Sequence, residues 1–298
     1  MNNFYYENRH LGCINDYYNY IAGLILKIIQ KRELNNINII LGNCSYNFNN
    51  NLKTIKININ YEHTLVKKGA NYGVIESEKA LVEGKIKIKD RNENYLVRII
   101  HYTSLSNSDI IIDYSIPNIY NIEISEYFED LSKKLIYISP TIYDIDISNT
   151  NRKIDVLTTF IDINQPRRKA LYDNLNDNFN YKNVNNCFDK KDLKNIYQNT
   201  KILINIHQTD HHHTFEELRV LPALLNGIII ISEDSPLKEM VPYNKYIIWT
   251  DYDNIIEKTK DILDNYDKYY NDIFNENFKI EDSNQDRLES KLVILAKE

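Results

Sequence analysis

The segment that most limits what this chain can fold into is residues 203–239, LINIHQTDHHHTFEELRVLPALLNGIIIISEDSPLKE. The branched apolar run Ile202–Ile206 predicts a short buried strand, and a polar loop from Gln208 to Thr214 follows it. Phe215, Leu218, Leu221, Leu224 and Leu225 then fall on one helical face, closed by Asn226-Gly227. A second branched run, Ile228–Ile231, ends in the acidic turn Ser232-Glu233-Asp234. Strand, helix, glycine stop and strand in this order define a βαβ unit, because a parallel partner strand requires a crossover. Ligands of such units sit beyond the carboxyl ends of the strands, which points to His207–Glu217 and Ser232–Asp234.

The remainder carries the same alternation. An amphipathic helix is predicted over 14–32, then strands at Ile37–Leu41 and Leu52–Ile59. Lys85–Ile88 and Tyr95–His101 flank a polar turn as a hairpin. A strand at Asp109–Asp113, a short helix at Glu126–Lys134 and a strand at Leu135–Ile138 complete a first α/β layer. Residues 144–152 are polar and lack a hydrophobic period, so they mark the boundary between a domain at 1–148 and one at 149–298. The second domain reads as a strand at Ile154–Phe160, a helix from Pro166 through Leu175, and a strand at Tyr181–Val184. Next come a helix at Lys190–Gln198, the βαβ unit, a strand at Tyr246–Trp249, a helix at Tyr252–Leu263 and one or two further helices within 266–297.

Composition narrows the class. In 298 residues, 43% hydrophobic and 11% aromatic content is enough for packed cores. The net charge of −6 argues against nucleic acid as the main partner, although a local basic site for one nucleotide is compatible with it. Three widely spaced cysteines, Cys13, Cys44 and Cys187, have no metal-ligand spacing and read as free thiols. The abundance of Ile, Asn, Lys and Tyr reflects an AT-rich genome. No signal peptide or membrane span is evident, so a cytoplasmic location is expected, in the host's cytoplasm if the chain is viral.

Three clusters carry candidate chemistry. Glu62-His63, just past a strand, has the makings of an acid/base pair, or is a loop histidine bonded to backbone. Arg167 and Arg168, beside Pro166 at a helix start, suit an anion, or form a solvated basic turn. His207, His211, His212 and His213 with Asp210 invite a metal, but consecutive side chains diverge and no supporting ligand spacing exists, so no metal site is expected. The loop reads instead as a lining that hydrogen-bonds a phosphate.

Asp155-Val156-Leu157, Asn164-Gln165-Pro166-Arg167-Arg168, Leu203–His207, Phe215–Arg219 with Asn226-Gly227, and Ile231-Ser232-Glu233 together resemble the C-terminal half of group 1 (family 4-like) glycosyltransferases. Upstream, Asn60-Tyr61-Glu62-His63 and Asp113-Tyr114-Ser115 with Asn118 resemble two motifs of that superfamily's N-terminal half. The resemblance covers about 109–265 and implies the GT-B fold, an α/β architecture of two Rossmann-like domains facing across a cleft. It implies an acceptor domain first and a nucleotide-sugar donor domain second. Arg167 and Arg168 would hold the diphosphate, and His207 would line the pocket. Glu216 would meet donor sugar hydroxyls, and Ser232 and Glu233 would lie beside the nucleoside. Glu217 and Arg219 join the donor-binding set. Pro222 stands where the family places a ribose-binding glutamate.

The expected function is metal-independent transfer of a sugar from a UDP-, GDP- or dTDP-linked donor to a glycan or glycoprotein acceptor, without a cofactor. His63 or Glu62 would act as base if the reaction inverts. A nucleotide-sugar epimerase or hydrolase of the same fold, or a non-catalytic glycan- or protein-binding pseudo-transferase, are the alternatives.

Overall fold

A computed structural model describes residues 3–6, 12–42, 51–67, 95–125, 128–148, 151–161, 163–185 and 189–297. The chain forms two compact units, one of residues 1–139 and 282–298, the other of 140–281. Among the described residues no helix is long and apolar enough to cross a membrane. Cys44 and Cys187, and the side chain of Cys13, lie outside the described residues.

The first unit is built on a parallel sheet of β1 (Phe4–Tyr6), β2 (Ile37–Leu41), β3 (Lys53–Asn60), β6 (Ile110–Asp113) and β7 (Leu135–Tyr137), in that spatial order. The Asn15–Arg32 helix buries the predicted face, Tyr17, Tyr18, Ile21, Leu24, Ile25, Ile28 and Ile29. Three-residue β1 is too short to show a period, and the sequence reading missed it. A small ribbon pairs β4 (Leu65–Lys67) antiparallel with β5 (Tyr95–Val97). The other predicted hairpin arm, 85–88, lies outside the described residues, as do 126–127 at the start of the predicted 126–134 helix; the helix itself is confined to Glu129–Ser132.

The compact units differ from the expected 1–148/149–298 division in two places, the first being a boundary at 139/140. The last helix, Asn284–Lys297, belongs to the first unit, because its apolar stripe of Leu288 and Leu292 is buried there. Asn284 accepts from the Ser139 amide at 3.0 Å, and Glu289 pairs with Lys31 and Arg32 at the end of the Asn15–Arg32 helix.

The second unit is also Rossmann-like. Its parallel strands are β8 (Ile154–Thr158), β9 (Tyr181–Asn183), β10 (Thr200–Asn205), β11 (Ile229–Glu233) and β12 (Ile247–Thr250). In space they run β9-β8-β10-β11-β12. The progression reverses between β8 and β10, so the crossovers leave to opposite sides and a crevice opens at those strands' carboxyl ends. Val156, Leu157, Ile202–Ile204 and Ile229–Ile231 are wholly buried, as strands covered on both faces require.

The predicted βαβ unit is present, with the Glu217–Leu225 helix joining β10 to β11. Gly227 ends it at φ +71, a left-handed conformation that costs an L side chain about 1–2 kcal/mol. Pro222 sits inside the helix, and its carbonyl accepts from the Asn226 side chain at 2.8 Å. Buried Arg152 donates to the carbonyls of Tyr197, Thr200 and Asn226, placing a cation at the C-terminal ends of two helices, where the backbone dipole favours it.

Candidate functional site

The crevice end of the second sheet is organised by Arg167, in the first turn of the Pro166–Asn178 helix. Its Nη1 and Nη2 donate to Glu233 Oε2 and Oε1 at 3.1 and 2.5 Å. Nη1 also donates to the His207 carbonyl at 3.3 Å, and Nε pairs with Asp210 at 3.1 Å. The guanidinium carbon lies 4.3 Å from the Tyr252 ring centroid, and the Tyr252 hydroxyl returns a bond to the Arg167 carbonyl at 2.6 Å. One side chain thus joins the segments following β8, β10 and β12 and the last residue of β11.

Glu233 is the anchor of this arrangement. Besides Arg167, it accepts the His207 amide at 2.9 Å. Burial pushes its carboxyl up, but His207 and Arg167 outweigh that and hold it below the usual carboxylate range, so it is ionised at neutral pH. Arg167 is likewise depressed by burial and raised, on balance, by Glu233 and Asp210.

The histidines build their own loop. His207 Nε2 donates to the Asp234 carbonyl at 2.9 Å, and His213 Nε2 to the Asp210 carbonyl at 2.9 Å. Their rings stack at 4.7 Å and 13°. His212 Nδ1 meets the Thr209 hydroxyl at 2.9 Å, and that hydroxyl accepts the His211 amide at 3.2 Å. Among the described residues no three His, Cys, Asp or Glu side chains converge as metal ligands.

Other predicted residues distribute unevenly. Asn205, at the end of β10, accepts from Arg219 at 2.9 Å and donates to Ser232 at 3.0 Å, which ties Arg219 and the wholly buried Ser232 to the same edge. Arg168 is buried with its guanidinium 4.9 Å from the Phe160 ring centroid, and Arg219 stands 5.9 Å from the same ring. Half-buried Glu216 occupies the N-cap of the Glu217–Leu225 helix, where its carbonyl accepts from Arg219 and Val220. Glu217 is wholly buried and accepts from Tyr243 at 3.0 Å.

Glu62 and His63 belong to the first unit. There the two upstream motifs become one polar cluster, because register places Asn60 on β3 beside Asp113 on β6. Asp113 is fully buried and accepts from Asn60 Nδ2 at 2.7 Å, the Ser115 amide at 2.8 Å and Asn118 Nδ2 at 3.3 Å. Burial drives its carboxyl up to about 7 despite these donors. Asn118 also accepts the Thr64 amide at 3.2 Å, and buried Arg98 donates to the His63 carbonyl at 3.0 Å and faces Glu62 at 3.7 Å. The Tyr61–Thr64 turn is therefore held by side-chain amides and by a guanidinium.

Sequence reasoning missed Tyr252, Asn205 and Asp113's role as a hub. Tyr252 reads as an ordinary helix start and Asn205 as a polar residue inside a strand. Only the position of each at a strand's carboxyl end hints at more.

No family model matches the chain. Over 177 residues it is 34% identical to uncharacterized protein R358 of Acanthamoeba polyphaga mimivirus, covering 57% of this chain and 59% of that one. It is 24% identical over 278 residues to uncharacterized protein L138 of the same virus, covering 87% of this chain and 29% of the relative. The chain therefore spans less than two thirds of the length of either relative. Among solved structures it is similar to TarM, with a TM-score of 0.49 and 11% identity over 92% of this chain and 58% of that one.

Proposed function

We propose that the chain is a glycosyltransferase that moves a sugar from a nucleotide-sugar to a glycan or protein acceptor, with the donor bound at the carboxyl edge of the second unit. The observation that carries this reading is the position of Arg167. It stands where the strand order reverses, the place at which sheets of this kind take ligands. The group 1 resemblance of the surrounding segments supports the same assignment. In the reaction an acceptor oxygen bonds to the anomeric carbon while the bond from that carbon to the diphosphate breaks. Negative charge then grows on the leaving diphosphate, and fixed cations and amide dipoles stabilise it. Arg167, Arg168 and the first amides of the Glu217–Leu225 helix are the proposed donors. For an inverting reaction, His63 or Glu62 is the proposed proton acceptor.

Two observations favour a second reading, a non-catalytic binding module. The Nη edge of Arg167 is committed to Glu233, and Pro222 stands where the resembled family has a glutamate. A panel of UDP-, GDP- and dTDP-sugars, screened by thermal shift and then by mass spectrometry of products, separates the readings. One donor should raise the melting temperature and yield free nucleoside diphosphate only with an acceptor present. Release without acceptor supports a hydrolase, an isomerised donor supports an epimerase, and binding without turnover supports the binding module. No response to any nucleotide-sugar contradicts the donor site itself.

A further inference from the structure

Arg167 presents two hydrogen-bonding edges, and they are not equivalent. The Nη1/Nη2 edge meets Glu233, whose side chain is 12% exposed and which is also held by the His207 amide. The Nε side meets Asp210, whose side chain is 66% exposed and which rides on the histidine loop. The Tyr252 ring covers a face of the guanidinium and fixes its plane. Breaking the inner pair leaves a charge in a largely desolvated place, which is costly, whereas an exposed ion pair contributes little and is readily exchanged. The Nε side is therefore where an incoming anion can replace a resident one.

We infer that Asp210 is an internal stand-in for ligand phosphate: its carboxylate occupies the outer edge of Arg167 and must be displaced when a diphosphate binds. The inference rests on the reading of this edge as a donor site and adds a built-in competitor to it. The surroundings fit an exchange of this kind. The Asp210 backbone is secured independently of its carboxylate, by the His213 Nε2 bond to its carbonyl. The side chain can swing out while the loop stays in place. A phosphate reaching the Nε side gains charge-assisted bonding and carries more negative charge than the Asp210 carboxylate it replaces at 3.1 Å. Glu233 remains in place and keeps the guanidinium oriented.

The test is calorimetric titration of inorganic pyrophosphate and of the stabilising nucleotide-sugar into the whole chain and two variants. Asp210→Asn removes the competitor. Asp251→Asn, just past β12 and next in sequence to Tyr252, removes one negative charge and controls for long-range electrostatics. The expected result is about fivefold tighter pyrophosphate binding in Asp210→Asn, the gain that loss of an exposed ion pair allows, and a much smaller change in Asp251→Asn. Equal or weaker binding in Asp210→Asn, or equal gains in both variants, overturns the competitor role while leaving a nucleotide-sugar site intact. Absence of binding by pyrophosphate and every nucleotide-sugar in all three proteins overturns the donor-site reading as well.

Discussion

Arg167 and Glu233 meet through paired N–H···O bonds that fasten the helix after β8 to the end of β11. The pair is shielded, so replacing one carboxylate oxygen of Glu233 by an amide removes the charge facing Arg167 and leaves one guanidinium N–H without its acceptor. Glu233→Gln is expected to lower unfolding free energy by about 2 kcal/mol at pH 7. Because the folded Glu233 is held below its ordinary pKa, its contribution is present above the unfolded value and fades as pH falls through the folded one. Urea unfolding should therefore show the two proteins converging below about pH 4. A difference that is the same at pH 7 and pH 3 contradicts the pairing.

Asp113 has the opposite sign. Its folded pKa of about 7 lies above the ordinary aspartate value of 3.8, so the folded state holds a proton that the unfolded chain has already released. Its stabilising contribution is complete below about pH 4, declines as pH climbs to about 7, and is level beyond. Asp113→Asn should flatten that decline, amounting to a few kcal/mol on the scale of about 1.4 per pKa unit. Unfolding curves between pH 4 and 8 that fall equally steeply in both proteins rule this out.

Gly227→Ala tests the close approach beneath the βαβ turn. A Cβ there lies 2.7 Å from Arg152 Nη2, 3.0 Å from the Tyr270 hydroxyl and 3.2 Å from Ile147 Cα, at φ +71. The left-handed conformation and displacement of a capping guanidinium together should cost about 3 kcal/mol in chemical denaturation. A loss below about 1 kcal/mol would show that Arg152 yields freely.

Much of this was legible in the residues. The βαβ unit followed from the branched runs and Asn226-Gly227, and both sheets followed from alternation of strand and helix patterns. What escaped was partnership across long separations. Nothing in the local pattern says that Arg167 pairs with Glu233, or that Asn60 and Asp113 share a register. The last helix looked like the end of the second domain because Leu288 and Leu292 mark a buried face without naming what covers it. Paired arginines read as an open anion site, yet only the fold shows one guanidinium bound to two carboxylates and the other packed on Phe160. The partners of the histidines are hidden in the sequence for a related reason. Composition draws attention to imidazoles, whereas three of them bond to oxygens of the loop and the adjoining turn.

Hydrogen–deuterium exchange with the stabilising nucleotide-sugar tests the central claim most directly, because it reports where the donor sits without requiring turnover. The account predicts protection in peptides covering 159–168, 205–214 and 232–236, three of the segments that meet at Arg167. Protection confined to the first unit, or none at a saturating donor concentration, would contradict it.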